Sequence, residues 1–538
     1  MKTRNTLQLG FSVRPLAVGG LLAALLCLVP SLARGDKAFQ AWAQRYNGQG
    51  IGDDHARAVA VDGSNNVIVT GDSAGSGSSW NYATIKYSQA GAPLWTNRFN
   101  GPGNSADIPY ALAVDPSGNV VVTGYSFTSR TNQDYATIKY SSAGVPLWTN
   151  YYDGPRNYID NAYALAIDAV GNVYVTGRSF GSDSMSDYAT IAYSPAGVPL
   201  WTNRYNGPGN YDDNALALAV DGSNNVIVTG ASYGGIASYT DYATIKYSSE
   251  GVPLWTNRYN GPGNYTDSAR ALVVDGSNNV IVTGVSDGGP SGTDYATLKY
   301  SSEGVPLWTN RYNGPGNTND AATALAVDAN NNVYVTGWSV RGSDQPFTYD
   351  YATVAYSAAG LPLWTNLYTG GFNDNQALAL AACPAGGVAV TGQSWSFDRS
   401  MDFATVRYSS DGAALWTNRY NGPGNGWDVA HAIAVDAEGD AIVAGESAGS
   451  GGDDDFATVK YTSVVPPPVL TGLRLTNGTC QLRVDELLEA CTVVIETSTK
   501  LAGWVPIFTN TKPTNVLFYT DPQATSHSWR FYRAFQFP

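Results

Sequence analysis

Tryptophan recurs at Trp42, Trp95, Trp148, Trp201, Trp255, Trp308, Trp364 and Trp416, at intervals of 52 to 56 residues. A chain that repeats at this interval folds as units that pack on copies of themselves. The copying is close. Residues 242–264 read YATIKYSSEGVPLWTNRYNGPGN, and residues 295–317 differ from them only by Leu for Ile.

Three further segments of strand character lie between successive tryptophans. In one repeat they are ALAVD (217–221), NVIVTG (225–230) and DYATIKYS (241–248), which leads into PLWTNRYNG (253–261). Each is short, rich in Val, Ile, Thr, Tyr or Trp, and bounded by Gly, Asn, Asp, Ser or Pro, the signature of strands joined by tight turns. Four strands per repeat, here A to D in chain order, predict a propeller blade. Helical solenoids are excluded because no segment carries apolar residues at i, i+3, i+4 and i+7 over ten or more positions.

The chain begins its repeats with a lone D strand, AWAQRYNG (41–48), and its last repeat (430–461) has A, B and C without D. The first strand is therefore expected to close the last blade, leaving no sheet edge open. Eight A strands and eight D strands predict an all-β, eight-bladed propeller over residues 36–461, with A innermost by analogy with other propellers.

The repeat features GNVYVTG (171–177) and DYATIKY (134–140) resemble the bacterial SBBP type of β-propeller repeat, over roughly residues 40–461. The resemblance implies a propeller and little about activity. Its family name implies seven blades, whereas the strand count gives eight.

A Pro-rich linker follows at 462–470 (TSVVPPPVL), then a small domain at 471–538. VIETSTKLAGW (494–504) and RFYRA (530–534) resemble the small β-sandwich tail of many exported proteins of environmental bacteria. At the other end Lys2, Arg4 and Arg14 precede the apolar stretch PLAVGGLLAALLCLVPSLA and the small residues Ser31, Ala33 and Gly35. Residues 1–35 thus read as a Sec-type signal peptide, and the mature chain as secreted or held in the cell envelope with no transmembrane segment.

A net charge of -14 argues against nucleic acid and anionic membranes as partners, since both select basic surfaces. Gly251 stands four residues before Trp255, and every D strand that follows a C strand keeps this spacing. The spacing also occurs in the tryptophan-docking motif of quinoprotein dehydrogenases, but the vicinal cysteines associated with that family are missing here. Eight copies of one catalytic group make no chemical sense, so the tryptophans are assigned to docking. Aspartates before strand A (Asp54, Asp107, Asp160, Asp213, Asp267, Asp320, Asp374, Asp428) and at its end (Asp62, Asp115, Asp168, Asp221, Asp275, Asp328, Asp436) sit among Asn, Ser and Gly. There they are expected to accept backbone N–H bonds. No metal site and no cofactor is expected.

The informative variation lies in loops. D-to-A and B-to-C connections emerge on one face, and the B-to-C loops differ between repeats. The B-to-C loops carry Trp80, Phe127, Phe180, Tyr233, Tyr239, Trp338, Phe347, Trp395 and Phe397, and a D-to-A loop carries Trp427. Aromatics among Ser, Asn and Asp suit glycan or protein binding. The expected function is a monomeric, non-enzymatic binding scaffold for a glycan or an extracellular protein. The alternatives are an enzyme at the channel mouth using His431, Arg57 and Arg270, with His431 taken as the one histidine where strand A begins, and a purely structural spacer.

Outside the signal peptide the cysteines are Cys383, Cys480 and Cys491. The last two lie eleven positions apart in the small domain and are expected to form a disulfide, the usual staple for a core this small. Reduction should then sensitise residues 471–538, and not the propeller, to protease. Mass spectrometry that finds both thiols unbonded in exported protein would refute the pairing.

Overall fold

The computed structural model describes residues 38–537, apart from 51, 76–78, 130–131, 183, 343–347, 371–373, 397–399, 464–468, 477–478, 486–491, 499–503, 511–515 and 524–530. The predicted signal peptide lies outside the described residues. Contacts divide the chain into one compact unit over 42–460 and a second that includes the tail from Tyr461. That division cuts strands Phe39–Tyr46 and Asp454–Thr462, which the sheet ladder assigns to the propeller.

The first unit is eight four-stranded antiparallel sheets, an eight-bladed propeller. Blade 4 shows the plan: Asp213–Val220, Val226–Gly235, Tyr239–Tyr247 and Pro253–Tyr259 pair in chain order as A, B, C and D. Blades 1 to 7 start at Asp54, Asp107, Asp160, Asp213, Asp267, Asp320 and Asn375. Each A strand lies against the next A strand, and Asp428–Val435 of blade 8 returns to Asp54–Val61 of blade 1, so A is innermost and the ring closes. Blade 8 uses both ends of the repeat region, with Phe39–Tyr46 as its D strand beside Asp454–Thr462.

B and C strands are buried along nearly their whole length, because each sheet is covered on both faces by its neighbours. The hydrophobic clusters therefore straddle blades. Ile68 and Tyr82 of blade 1 share one with Val120, Val122, Ala136, Ile138 and Tyr140 of blade 2. The Tyr82 hydroxyl donates across the junction to Ala136 O at 3.2 Å, and Tyr135, Tyr188, Tyr242, Tyr295 and Tyr351 repeat this bond to their next blades.

The tryptophans dock at the rim. Trp201 lies flat against Gly251 of the following blade, whose missing Cβ would stand 2.8 Å from the indole. Gly251 also has φ of +81°, so the turn and the docking both require glycine. Trp201 Nε1 donates to Ser249 O at 2.8 Å, and its ring sits 5.9 Å from Tyr247. Trp42, Trp95, Trp148, Trp255, Trp308 and Trp364 do the same with Gly91, Gly144, Gly197, Gly304, Gly360 and Gly412. Trp416 differs because blade 8 ends its C strand in the departing chain, with no C-to-D turn to supply a glycine. It packs against Cys383, Ala389 and Ala441 instead.

Below the rim, the aspartates that end strand A hold both the A-to-B turn and the sheet. Asp62 Oδ1 accepts from the backbone N–H of Ser64 and Asn66, while Oδ2 pairs with buried Lys86 at 2.8 Å. Burial would raise such carboxyls, but the lysine and asparagine donors hold Asp62, Asp115, Asp221 and Asp275 below their usual range. Where the lysine is replaced by Ala192 or Ala355, its cross-strand partner is a tyrosine rather than an aliphatic residue. The Tyr174 and Tyr334 hydroxyls then donate to Asp168 and Asp328 at 3.0 and 2.9 Å. In blade 7 the aspartate is Cys383 and the lysine is Arg407, which donates to backbone carbonyls.

The tail forms two three-stranded sheets whose shared core is Leu482, Val484, Val493, Ile495, Tyr532 and Ala534, a small sandwich. Arg533 pairs with Glu496 at 2.5 Å and covers the Trp504 ring at 4.5 Å. Cys480 belongs to strand Thr479–Asp485, but Cys491 lies outside the described residues, and so does the predicted pairing.

Trp255 is half-buried, so its truncation loses surface and one hydrogen bond without opening a cavity. Trp255→Ala should cost about 2 kcal/mol, less than the ~3–5 kcal/mol of a core tryptophan. A urea midpoint equal to that of the parent protein would contradict the docking role.

Candidate functional site

The face made by A-to-B and C-to-D turns is nearly uniform. Its αL position is filled by Asn65, Asn224, Asn278 and Asn331 or equally by Gly118, Gly171, Gly386 and Gly439. An inter-blade groove of about 870 Å³ opens there, lined by Asp62, Lys86, Trp95 and Asp115, which already bond one another or neighbouring backbone.

The opposite, variable face stands on a belt of ion pairs. The aspartate that opens each A strand accepts backbone N–H groups, as Asp213 does from Gly207 at 2.6 Å and Tyr233 at 3.0 Å. Burial raises Asp54, Asp107, Asp160, Asp213, Asp267, Asp320 and Asp428 above the usual carboxylate range against these bonds. In blade 7 the residue in register is Asn375, not Asp374: it pairs with Ser394 as the aspartates pair with their serines. Beside this position an arginine on strand D grips an aspartate on strand C. The pairs are Arg204–Asp187, Arg258–Asp241, Arg311–Asp294, Arg419–Asp402 and Arg45–Asp455, at 2.7 to 3.0 Å. Arg258 also reaches the Tyr205 hydroxyl of the preceding blade at 3.0 Å.

Above the belt, the aromatics divide. Trp427 is 63% exposed, and Trp80 is exposed with its indole N–H on Asp53 O at 3.2 Å. Phe127 and Trp395 are half-buried, and Trp338 meets Tyr349 edge-on at 5.1 Å. Phe347 and Phe397 lie outside the described residues. The D-to-A loops contribute three rings that reading B-to-C loops overlooks: Tyr158, Tyr211 and Tyr265, each about half exposed. They enter blades 3, 4 and 5, and each stands on a second ring: Phe180 at 5.1 Å, Tyr233 at 5.4 Å and Tyr239 at 4.4 Å. Tyr239 adopts φ of +53°, unusual for an aromatic, and the adjacent Thr240 forms a parallel bridge to Thr266. The signal was in the sequence, as tyrosine two residues before the strand-A aspartate in three consecutive repeats.

A polar cluster spans strands A and B of blades 8 and 1 and reaches strand A of blade 2. His55 Nδ1 lies 2.8 Å from Asp72 Oδ2, which shares its carboxylate with the Arg57 guanidinium. The other imidazole nitrogen is 3.7 Å from Glu446, and His431 Nε2 is 3.3 Å from the same carboxylate oxygen. Arg57 covers the Tyr110 ring at 5.6 Å, and Tyr110 meets Tyr163 at 5.4 Å. Arg57 and His431 are thus linked through His55, which lies beside both Asp72 and Glu446, while Arg270 is exposed on blade 5, across the ring from blade 1. His55 is the second residue of strand A in blade 1, so His431 is not the one histidine there.

The Asp72 hydrogen bond raises the His55 pKa despite burial. Burial pushes Asp72 and Glu446 up, yet their basic neighbours hold both below the usual range. Asp72 and Glu446 each have basic side chains beside them, so the arrangement links blades 8 and 1 across the closing seam. Among the described residues, two groups bring three possible metal ligands within 4.8 Å of one another: Asp53, His55 and Asp454, and Asp134, Asp153 and Asp160. In the first, the His55 ring is already engaged by Asp72.

No family model matches the chain, and no curated protein matches its sequence. The resemblance to SBBP-type repeats therefore rests on the repeat motifs alone. Among solved structures, PorZ, an essential bacterial surface component of the type-IX secretion system of Porphyromonas gingivalis, is 13% identical with a TM-score of 0.41, covering 86% of this chain and 60% of PorZ. The β-propeller domain of the trilobed protease from Pyrococcus furiosus is 7% identical with a TM-score of 0.39, covering 66% of this chain and 93% of that one. A structure titled glucose dehydrogenase is 12% identical with a TM-score of 0.30, covering 56% and 95%. None of these likenesses says what this chain does. Among the described residues, no helix is long and apolar enough to cross a membrane.

A histidine whose folded pKa is raised stabilises fully below its unfolded value of about 6.5, and that contribution fades as pH rises through the folded value. His55→Ala should therefore lower the denaturation midpoint more at pH about 5.5 than at pH about 9. Equal losses at both would show that His55 acts by packing alone.

Proposed function

We propose that the protein is an exported, non-enzymatic scaffold that binds an extended glycan across the loop face of blades 3 to 5. The observation that carries this reading is the row of half-exposed tyrosines, Tyr158, Tyr211 and Tyr265, one per blade. A polymer of repeated sugars meets a repeated surface best when each blade offers one ring to stack against, and aromatic faces suit sugar rings. The second rings beneath them and the bridge at Thr240–Thr266 hold the loops in place before binding, which limits the entropy lost on association. Trp427 and Trp80 lie on the same face, at blade 8 and blade 1, and belong to its rim.

Export rests on the predicted signal peptide, and on an acidic, low-charge composition that suits an extracellular polysaccharide better than nucleic acid. The channel-mouth cluster is assigned to closure of the ring, because its charges are mutually paired.

Affinity electrophoresis through gels containing neutral polysaccharides tests the reading. Retardation should fall at least about tenfold in apparent affinity when Tyr158, Tyr211 and Tyr265 are all changed to Ala, each stacked ring being worth about 0.5–1.5 kcal/mol. Equal retardation of the triple variant, or none for the parent protein on any polysaccharide, would defeat it. Capture of a protein partner lost in the same variant would move the site to protein recognition.

A further inference from the structure

The eight repeats serve as an internal alignment, and blade 2 departs from it at two positions that remove positive or add negative charge around its strand-C aspartate. In blades 3, 4, 5, 7 and 8 the aspartate near the start of strand C carries the arginine of strand D. Blade 1 has Asn81 in place of the aspartate. Blade 6 has Leu367 in place of the arginine, and Arg341 from its B-to-C loop pairs with Asp350 instead. Blade 2 keeps the aspartate, Asp134, but has Tyr151 where the arginine belongs. It also has Asp153 where six other repeats have Asn47, Asn100, Asn206, Asn260, Asn313 and Asn421. A half-buried positive charge is lost and one negative charge is gained at the same junction, while an exposed cation, Arg156, stands in the same loop where six other repeats have glycine.

The outcome is three carboxylates together. Asp134, Asp153 and Asp160 each offer an oxygen within 4.8 Å of the other two. Asp134 is 4% exposed, and its Oδ1 is buried with no hydrogen-bond donor among the described residues. The corresponding oxygens of Asp241, Asp294 and Asp455 also lack donors, but in those residues Oδ2 is bound to arginine. Asp134 Oδ2 accepts only a neutral hydroxyl in its place, from Thr128 at 2.5 Å. Burial, with Asp153 and Asp160 beside it, pushes Asp134 up to about 6. Burial raises Asp160 as well, with Asp153 adding to the effect.

We propose that the junction of blades 2 and 3 is a binding site for a divalent cation of the calcium class, held by Asp134, Asp153 and Asp160. A dication here replaces the guanidinium that the other junctions use and relieves the repulsion among the three carboxylates. Oxygen-only donors select a hard cation. Carboxylates from three separate chain segments, one of them on an exposed loop, suit the larger and more tolerant coordination shell of calcium better than the strict octahedron of magnesium. The site does not depend on the glycan reading.

Calorimetric titration of the full chain with CaCl2 after treatment with chelator, alongside thermal melts with calcium or magnesium, tests it. One equivalent should bind with Kd on the order of 10⁻⁵ to 10⁻³ M, and calcium should raise Tm. Tyr151→Arg and Asp153→Asn each install a side chain that the same fold accommodates in other blades, so both variants should fold, which circular dichroism checks. Tyr151→Arg should abolish the heat and the Tm response, and Asp153→Asn should weaken binding at least about tenfold. Absence of heat and of any Tm shift at millimolar calcium overturns the proposal. So does an undiminished equivalent in both folded variants.

Discussion

The contact on which the rest depends is the indole of one blade lying on the turn glycine of the next. It fixes three things at once: the turn, which needs a positive φ; the approach of blades, which a Cβ would block; and the carbonyl that receives the indole N–H. In four blades that carbonyl also accepts the buried lysine that neutralises the strand-A aspartate. Lys86 and Trp95 share Ser142 O in this way. A blade therefore completes its polar bonding only when its neighbour is in place, which makes the ring cooperative.

The fold was legible because repetition is a strong signal. Four strand-like segments per tryptophan interval, and a D strand orphaned at the start, were enough to place all eight sheets and the closing strand. The register of the aspartates was nearly as clear, and it failed at blade 7, where Asn375 replaces the aspartate and the preceding Asp374 imitates it. Side-chain partnerships across the ring were not legible. Nothing in the spacing says that His55 and Glu446 meet, because 391 positions separate them in the sequence and only closure brings them together. Tyr158, Tyr211 and Tyr265 were missed for another reason: they sit in the short D-to-A loops, where length variation draws no attention.

Departures from the repeat are of two kinds. Some are balanced within the blade, as when an aliphatic–lysine pair becomes a tyrosine–alanine pair and the buried aspartate still receives a donor. Others are left unbalanced by the protein itself, as at Asp134. Balanced changes report the constraint of packing. Unbalanced ones mark places where something other than packing decided the residue, and in a protein built from copies they stand out without any relative for comparison.

The closing blade has a consequence for how the chain reaches its final state. Arg45 bonds Asp455 across 410 positions, so the first strand cannot be seated until almost the whole repeat region has been made. Until then the last sheet has a bare edge, and the first strand is a short segment with no sheet of its own. Joining ends this distant adds little entropy cost, since that cost grows only with the logarithm of length, but it sets an order of events. Blades can assemble from neighbour to neighbour as they emerge, whereas closure is reserved for the complete polypeptide. A chain broken off early would remain an open arc, distinguishable by its free edge from the finished ring.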